Sequence, residues 1–114
     1  MAKHVFVVLT NPVEGREDAY NDWYSKAHLG DVLKVPGIVA AQRFKLSDVQ
    51  HGEPPFPWRY LALYEIETDD LTHTIAVLKE RSGTSAMVIS DALAPERLAW
   101  FFQPITPRIE AAKG

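Results

Sequence analysis

The stretch His4-Val5-Phe6-Val7-Val8-Leu9-Thr10 decides the fold. It is β-branched and apolar on both faces, the pattern of a central strand covered on both sides. Asn11-Pro12 ends it, since the pair favours a turn. The periodicity then becomes helical from Gly15 to about Leu29. At 100° per residue Tyr20, Trp23, Tyr24 and Ala27 share one stripe, while Asn21, Asp22, Ser25 and Lys26 fall opposite. Gly30 reads as a stop, and Asp31 then suits the N-cap of one further turn, Val32–Val35.

Outward from this unit, Pro36-Gly37 turns the chain into a second strand, Ile38–Leu46. The polar, proline-rich stretch Ser47–Pro57 is a loop longer than a tight hairpin needs. A third strand is expected over Trp58–Ile66, ending in Glu67. Thr68-Asp69-Asp70 starts a second helix with a core stripe of Leu71, Ile75 and Leu78, running to Gly83. A short helical piece is expected over Thr84–Leu93, a last strand over Arg97–Gln103, and residues 103–114 as an extended tail.

The order β-α-β-β-α-β is the split-βαβ pattern. It predicts an α+β, ferredoxin-like domain over residues 1–114, with a four-stranded antiparallel sheet carrying its helices on one face. Both sheet faces are nonetheless apolar: Phe6 and Val8 oppose Val5, Val7 and Leu9, and Leu61 and Leu63 oppose Tyr60, Ala62 and Tyr64. A second copy stacking sheet on sheet covers the free face most simply, so a homodimer forming a dimeric α+β barrel is expected.

Composition narrows the function classes. At 114 residues, 46% hydrophobic and 24% charged, the chain has the makeup of one globular domain. The net charge of −3 comes from mixed signs without a basic patch, which argues against a nucleic-acid partner. Without cysteine there is no disulfide, thiol nucleophile or thiolate metal site. His4, His28, His51 and His73 lack zinc-binding spacing, so no metal is expected. Neither a phosphate-cradling Gly-rich loop nor a Gly-x-Ser-x-Gly elbow occurs, and no cofactor is expected. The apolar run Val5–Leu9 is too short to span a bilayer and lacks the layout of a signal peptide. A cytoplasmic protein without membrane attachment is the expectation.

The segment from Asn11 to Gly37 resembles the first strand-helix unit of EthD-like proteins in the dimeric α+β barrel superfamily. Tyr20, Trp23, Tyr24, His28 and Pro36-Gly37 match that unit in type and order; the rest of the chain matches in topology. The superfamily includes cofactor-free polyketide cyclases, muconolactone isomerase, quinol-forming monooxygenases and haem-degrading enzymes. The resemblance therefore implies a small-molecule pocket between helix and sheet, with the His at position 28 facing it.

The candidate residues follow. His28 can take or give a proton near neutral pH, or merely favour a helix C-terminus. Asp31 could orient His28 or act as a base if the helix continues, and is an N-cap if Gly30 breaks it. Tyr24 and Tyr64 offer phenolic donors to a carbonyl or oxyanion. Tyr64 shares strand parity with Tyr60 and Ala62, placed on the helix-facing side. Tyr20 and Trp23 could stack on an aromatic ligand or simply build the core. Asn11 stands near the presumed pocket mouth, where an Asn occurs in haem-degrading relatives, or makes only an Asn-Pro turn. Arg43 and Glu65 are expected to pair across strands two and three. Three functions remain open: a cofactor-independent isomerase, cyclase or lyase using His28 on an apolar or aromatic metabolite, a non-catalytic binding or assembly protein, and a haem- or quinol-handling oxygenase.

Overall fold

The computed structural model describes residues 1–113, and its elements keep the β-α-β-β-α-β order. The strands are β1 (Lys3–Pro12), β2 (Ile38–Lys45), β3 (Tyr60–Glu67) and β4 (Leu93–Phe102). The helical elements are α1 (Glu17–Trp23), a π turn (Tyr24–His28), α2 (Leu29–Leu33) and α3 (Leu71–Arg81). All four strands join one antiparallel sheet in the order β2-β3-β1-β4, which puts the doubly apolar β1 inside. This is the ferredoxin-like α+β arrangement read from the sequence.

Register fixes which side chains meet the helices. Phe6 pairs with Tyr64 and Phe101, and Val8 with Ala62 and Ala99. Along β3, Tyr60, Ala62, Tyr64 and Ile66 are buried, Leu61 and Leu63 are half-buried, and Glu65 is exposed. The tyrosines therefore point at the helices, and the strand parity read from the sequence holds. The opposite face leaves Trp100 57%, Phe102 49% and Phe44 43% exposed.

Several expected boundaries move. β1 continues through Asn11 to Pro12, which pairs with Leu93 after a register shift beyond Thr10. An irregularity of this kind tolerates proline because no ladder donor is needed there. Gly30 does not stop the first helix: the chain stays helical through α2, and Asp31 lies inside it rather than capping a new turn. The helix ends at Leu33, and the chain then turns through Pro36 and Gly37, the latter at φ +96°. A Cβ on Gly37 would sit 2.7 Å from Thr74 Oγ1, so both the turn and the packing require glycine.

The π turn also revises the apolar stripe. A wider turn holds more residues per revolution, so Ala27 falls on the surface while His28 comes round to the core side. On α3, Asp70 caps the start by accepting from the His73 backbone N–H at 3.0 Å. Thr74 is the buried residue of that helix, donating to the Pro36 carbonyl at 3.0 Å, with Leu71, Ile75 and Leu78 half-buried around it. Thr84–Leu93 is not helical. Before β4 begins at Leu93 it is irregular and pinned by buried Met87, whose carbonyl accepts from the Gly83 N–H at 2.9 Å.

β4 starts earlier than expected and carries Pro95, tolerated because this strand lies at the sheet edge. β3 starts at Tyr60 instead of Trp58, and β2 ends at Lys45. The expected Arg43–Glu65 pair does not form. Arg43 is opposite Ala62 and Glu65 opposite Ala40, which places them on opposite faces of the sheet. Among the described residues no helix is long and apolar enough to cross a membrane.

Candidate functional site

The helices rest on the sheet without filling the space over its β1–β4 side. A cavity of about 400 Å³ remains there, bounded by Phe6 and Val8 of β1, Tyr64 of β3, and Arg97 and Ala99 of β4. Tyr24, His28 and Val32 close it from the first helical run, Leu78, Lys79 and Ser82 from the end of α3, and Met87 and Ile89 from the irregular segment. Its size falls within the range of small-molecule pockets.

His28 forms one wall. Its ring stacks on Trp23 with centroids 4.6 Å apart and planes at 28°, and it meets Tyr24 edge-on at 4.9 Å. Its Nδ1 is buried with no hydrogen-bond partner among the described residues. Burial pushes the imidazole pKa down to about 4; Asp31 pulls it back up, and the Arg97 and Arg43 charges push it down further. The ring is therefore neutral at pH 7.

Tyr64 Oη donates to Tyr24 Oη at 3.3 Å. Burial pushes the Tyr24 pKa up to about 12 and raises Tyr64 as well, so both phenols keep their protons. With its oxygen accepting from Tyr64, Tyr24 keeps its own proton for another acceptor.

A polar cluster backs this wall. The Arg43 guanidinium lies 4.5 Å from the Tyr24 ring centroid, 5.3 Å from Tyr20 and 5.4 Å from Tyr60. It donates to Ser25 Oγ at 2.7 Å and Asn21 Oδ1 at 2.9 Å. Asn21 Nδ2 in turn donates to Tyr60 Oη at 3.1 Å, and Tyr60 donates to Glu17. That bond, then the one from Arg59, holds the Glu17 carboxyl below its usual range. The cluster ties α1 to β2 and β3 and fixes the back of the Tyr24 ring.

Of the residues singled out in the sequence, His28, Tyr24 and Tyr64 line one cavity. Trp23 supports it from behind, stacked on His28 and donating Nε1–H to the Val88 carbonyl at 3.0 Å. Asp31 is near enough to act on His28 through space, with no hydrogen bond between them among the described residues. Tyr20 is fully buried in the Arg43 cluster, its hydroxyl bonded to Thr10. Asn11 lies apart from the cavity. Its Nδ2 donates to the Pro57 carbonyl at 2.7 Å and its Oδ1 accepts from the Arg59 N–H at 2.9 Å, pinning the return of the long loop.

Sequence reasoning missed Lys79, Met87 and Arg97, and it gave Arg43 the wrong partner. Arg43 was legible in part, since it shares strand parity with the core-facing Ala41. Met87 sits in the segment misread as a helix. Among the described residues no group of three His, Asp or Glu side chains is placed to hold a metal ion.

No protein-family model matches the chain, and no curated protein matches it. Solved structures match over nearly its full length. A candidate antibiotic-biosynthesis monooxygenase from Nitrosomonas europaea superposes with a TM-score of 0.62 at 16% identity, over 93% of each chain. The haem-degrader MhuD from Mycobacterium tuberculosis, with two haems bound in its active site, gives 0.60 at 12% identity, over 92% of this chain and 98% of its own. An EthD-like protein from Ralstonia eutropha JMP134 gives 0.56 at 14% identity, over 95% and 97%. These likenesses show the fold, and they agree with the EthD-like resemblance of the first helical unit.

Proposed function

We propose that this protein is a small enzyme that moves a proton on an apolar or aromatic metabolite, with His28 carrying the proton. One observation carries the reading: the half-buried His28 ring lines a largely apolar cavity together with the hydroxyl-bearing Tyr24 and Tyr64.

Burial leaves the imidazole neutral, so its lone pair is available at pH 7. The ring takes a proton from an acidic C–H or O–H of the ligand. The negative charge left on the ligand is met by the Tyr24 hydroxyl, held in its protonated form and oriented by Tyr64. The same charge stabilises the imidazolium that burial alone disfavours. Returning the proton to a second atom of the ligand completes an isomerisation or cyclisation, and returning it to a leaving group completes a lyase step. Asp31 assists by steadying the charged ring through space. Every proton has a donor and an acceptor among His28, Tyr24 and the ligand, so the scheme needs no cofactor.

The same depressed pKa supports a second reading, since a base near 4 is weaker than proton transfer at pH 7 favours. In that reading the cavity holds a metabolite without turning it over. In either case the working unit is a homodimer of one-domain subunits.

The test is His28→Ala against substrates found by screening apolar and aromatic metabolites. Loss of activity by about a hundred- to ten-thousand-fold in a folded protein is expected. A folded variant with full activity would rule out His28 as the proton carrier and leave the binding reading.

A further inference from the structure

The cavity is apolar inside and basic at its rim. Phe6, Val8, Val32 and Met87 supply its apolar wall, while Lys79 of α3 and Arg97 of β4 line it with exposed side chains. No Asp or Glu lines it. Of the chain's 12 Lys and Arg residues, Arg16, Lys26, Arg59 and Arg108 each meet a carboxylate. Among the described residues, neither Lys79 nor Arg97 has an acidic partner within 4.0 Å. Arg97 is also close enough to depress the pKa of both His28 and Tyr24. Two cations thus flank the opening of a pocket whose wall holds a neutral histidine and a protonated tyrosine.

We infer that the ligand is an amphipathic carboxylate, with an aromatic or alicyclic body filling the cavity and one carboxylate held at the rim by Arg97 and Lys79. The inference rests on the proposed small-molecule reading of the cavity and names the ligand class. Arg97 gives the planar, forked contact a carboxylate accepts, and Lys79 adds a point charge. Lys79 and Ser82 lie at the C-terminal end of α3, where the helix dipole is negative. That end disfavours a dianionic phosphate more than a monoanion. Anchoring the anion at the rim also sets which end of the ligand reaches His28 and Tyr24.

The test is calorimetric binding of 2-naphthoate, neutral 2-naphthamide and 2-naphthyl phosphate to the full chain at low salt. Naphthoate is expected to bind about tenfold more tightly than the amide, as a charge-assisted contact provides. Arg97→Gln should weaken naphthoate about tenfold, and Lys79→Gln about threefold because an exposed ammonium is screened. Amide affinity should fall by less than naphthoate affinity in either variant, and amide binding that persists reports that the pocket is intact. Equal affinity of the wild type for acid and amide would overturn the carboxylate assignment while leaving the cavity reading in place. Tighter binding of the phosphate than of naphthoate would overturn the choice of anion. Failure of all three to bind would overturn the cavity reading, and this inference with it.

Discussion

His28 carries two competing demands at the residue scale: burial beside Trp23 and Tyr24 keeps it neutral, and proton transfer requires it to charge. The conflict has a consequence for stability. An unfolded histidine has its ordinary pKa of 6.5, against about 4 in the fold, so between these values the unfolded chain binds more protons. The contribution is fully present above pH 6.5 and is lost as pH falls toward 4, up to about 3 kcal/mol by the unit conversion. Urea midpoints at pH 5 and 7.5 should therefore converge in His28→Gln relative to wild type. Parallel pH dependence in the two proteins would contradict the buried neutral ring. Tyr20, Trp23 and Tyr24 were legible in the sequence because their spacing follows a helical face, and His28 because the EthD-like unit it resembles has a His there. Arg97 and Lys79 were not, because an exposed charge acquires meaning only beside a cavity built from four other segments.

The π turn and the sheet carry the argument at the scale of elements. Straight 100° periodicity puts Ala27 on the core stripe, and nothing in Tyr24–His28 announces the wider turn that replaces it with His28. Gly30 misled for a related reason: once α2 is held by buried Val32, a glycine is tolerated inside the helix despite its propensity. The strands were easier to read, since a period of two over β1 and β3 leaves one buried set. Their other set raises the question of cover. Trp100, Phe102 and Phe44 are about half exposed on the helix-free face, and Ile105 and Ile109 of the following segment are 96% and 80% exposed. A second copy stacked on this face, as proposed, would bury Trp100, Phe102 and Phe44 together. Sedimentation velocity at micromolar concentration should give about twice the mass of one chain, with Trp100→Glu shifting it toward the monomer. A wild-type monomer at that concentration would remove the barrel from the account.

At the scale of the whole molecule the two sheet faces have separate tasks: one packs the helices and holds the cavity, and the other is proposed to hold the partner. The fold class was legible because β1 is apolar on both sides and can only be central, whereas a period of two alone left open which set of β3 side chains meets the helices. The site was legible only in part, since its cavity depends on how α3 and the irregular Thr84–Leu93 segment fail to close over β1 and β4. This division makes the central claim testable in a single spectrum. Amide and histidine-ring chemical shifts should be mapped across the labelled protein during titration with 2-naphthoate. Shifts are expected at Phe6, Tyr24, His28, Met87 and Ala99, with Leu63, Trp100 and Phe102 silent. Shifts confined to the helix-free face, or none at millimolar naphthoate, would contradict a small-molecule site built around His28.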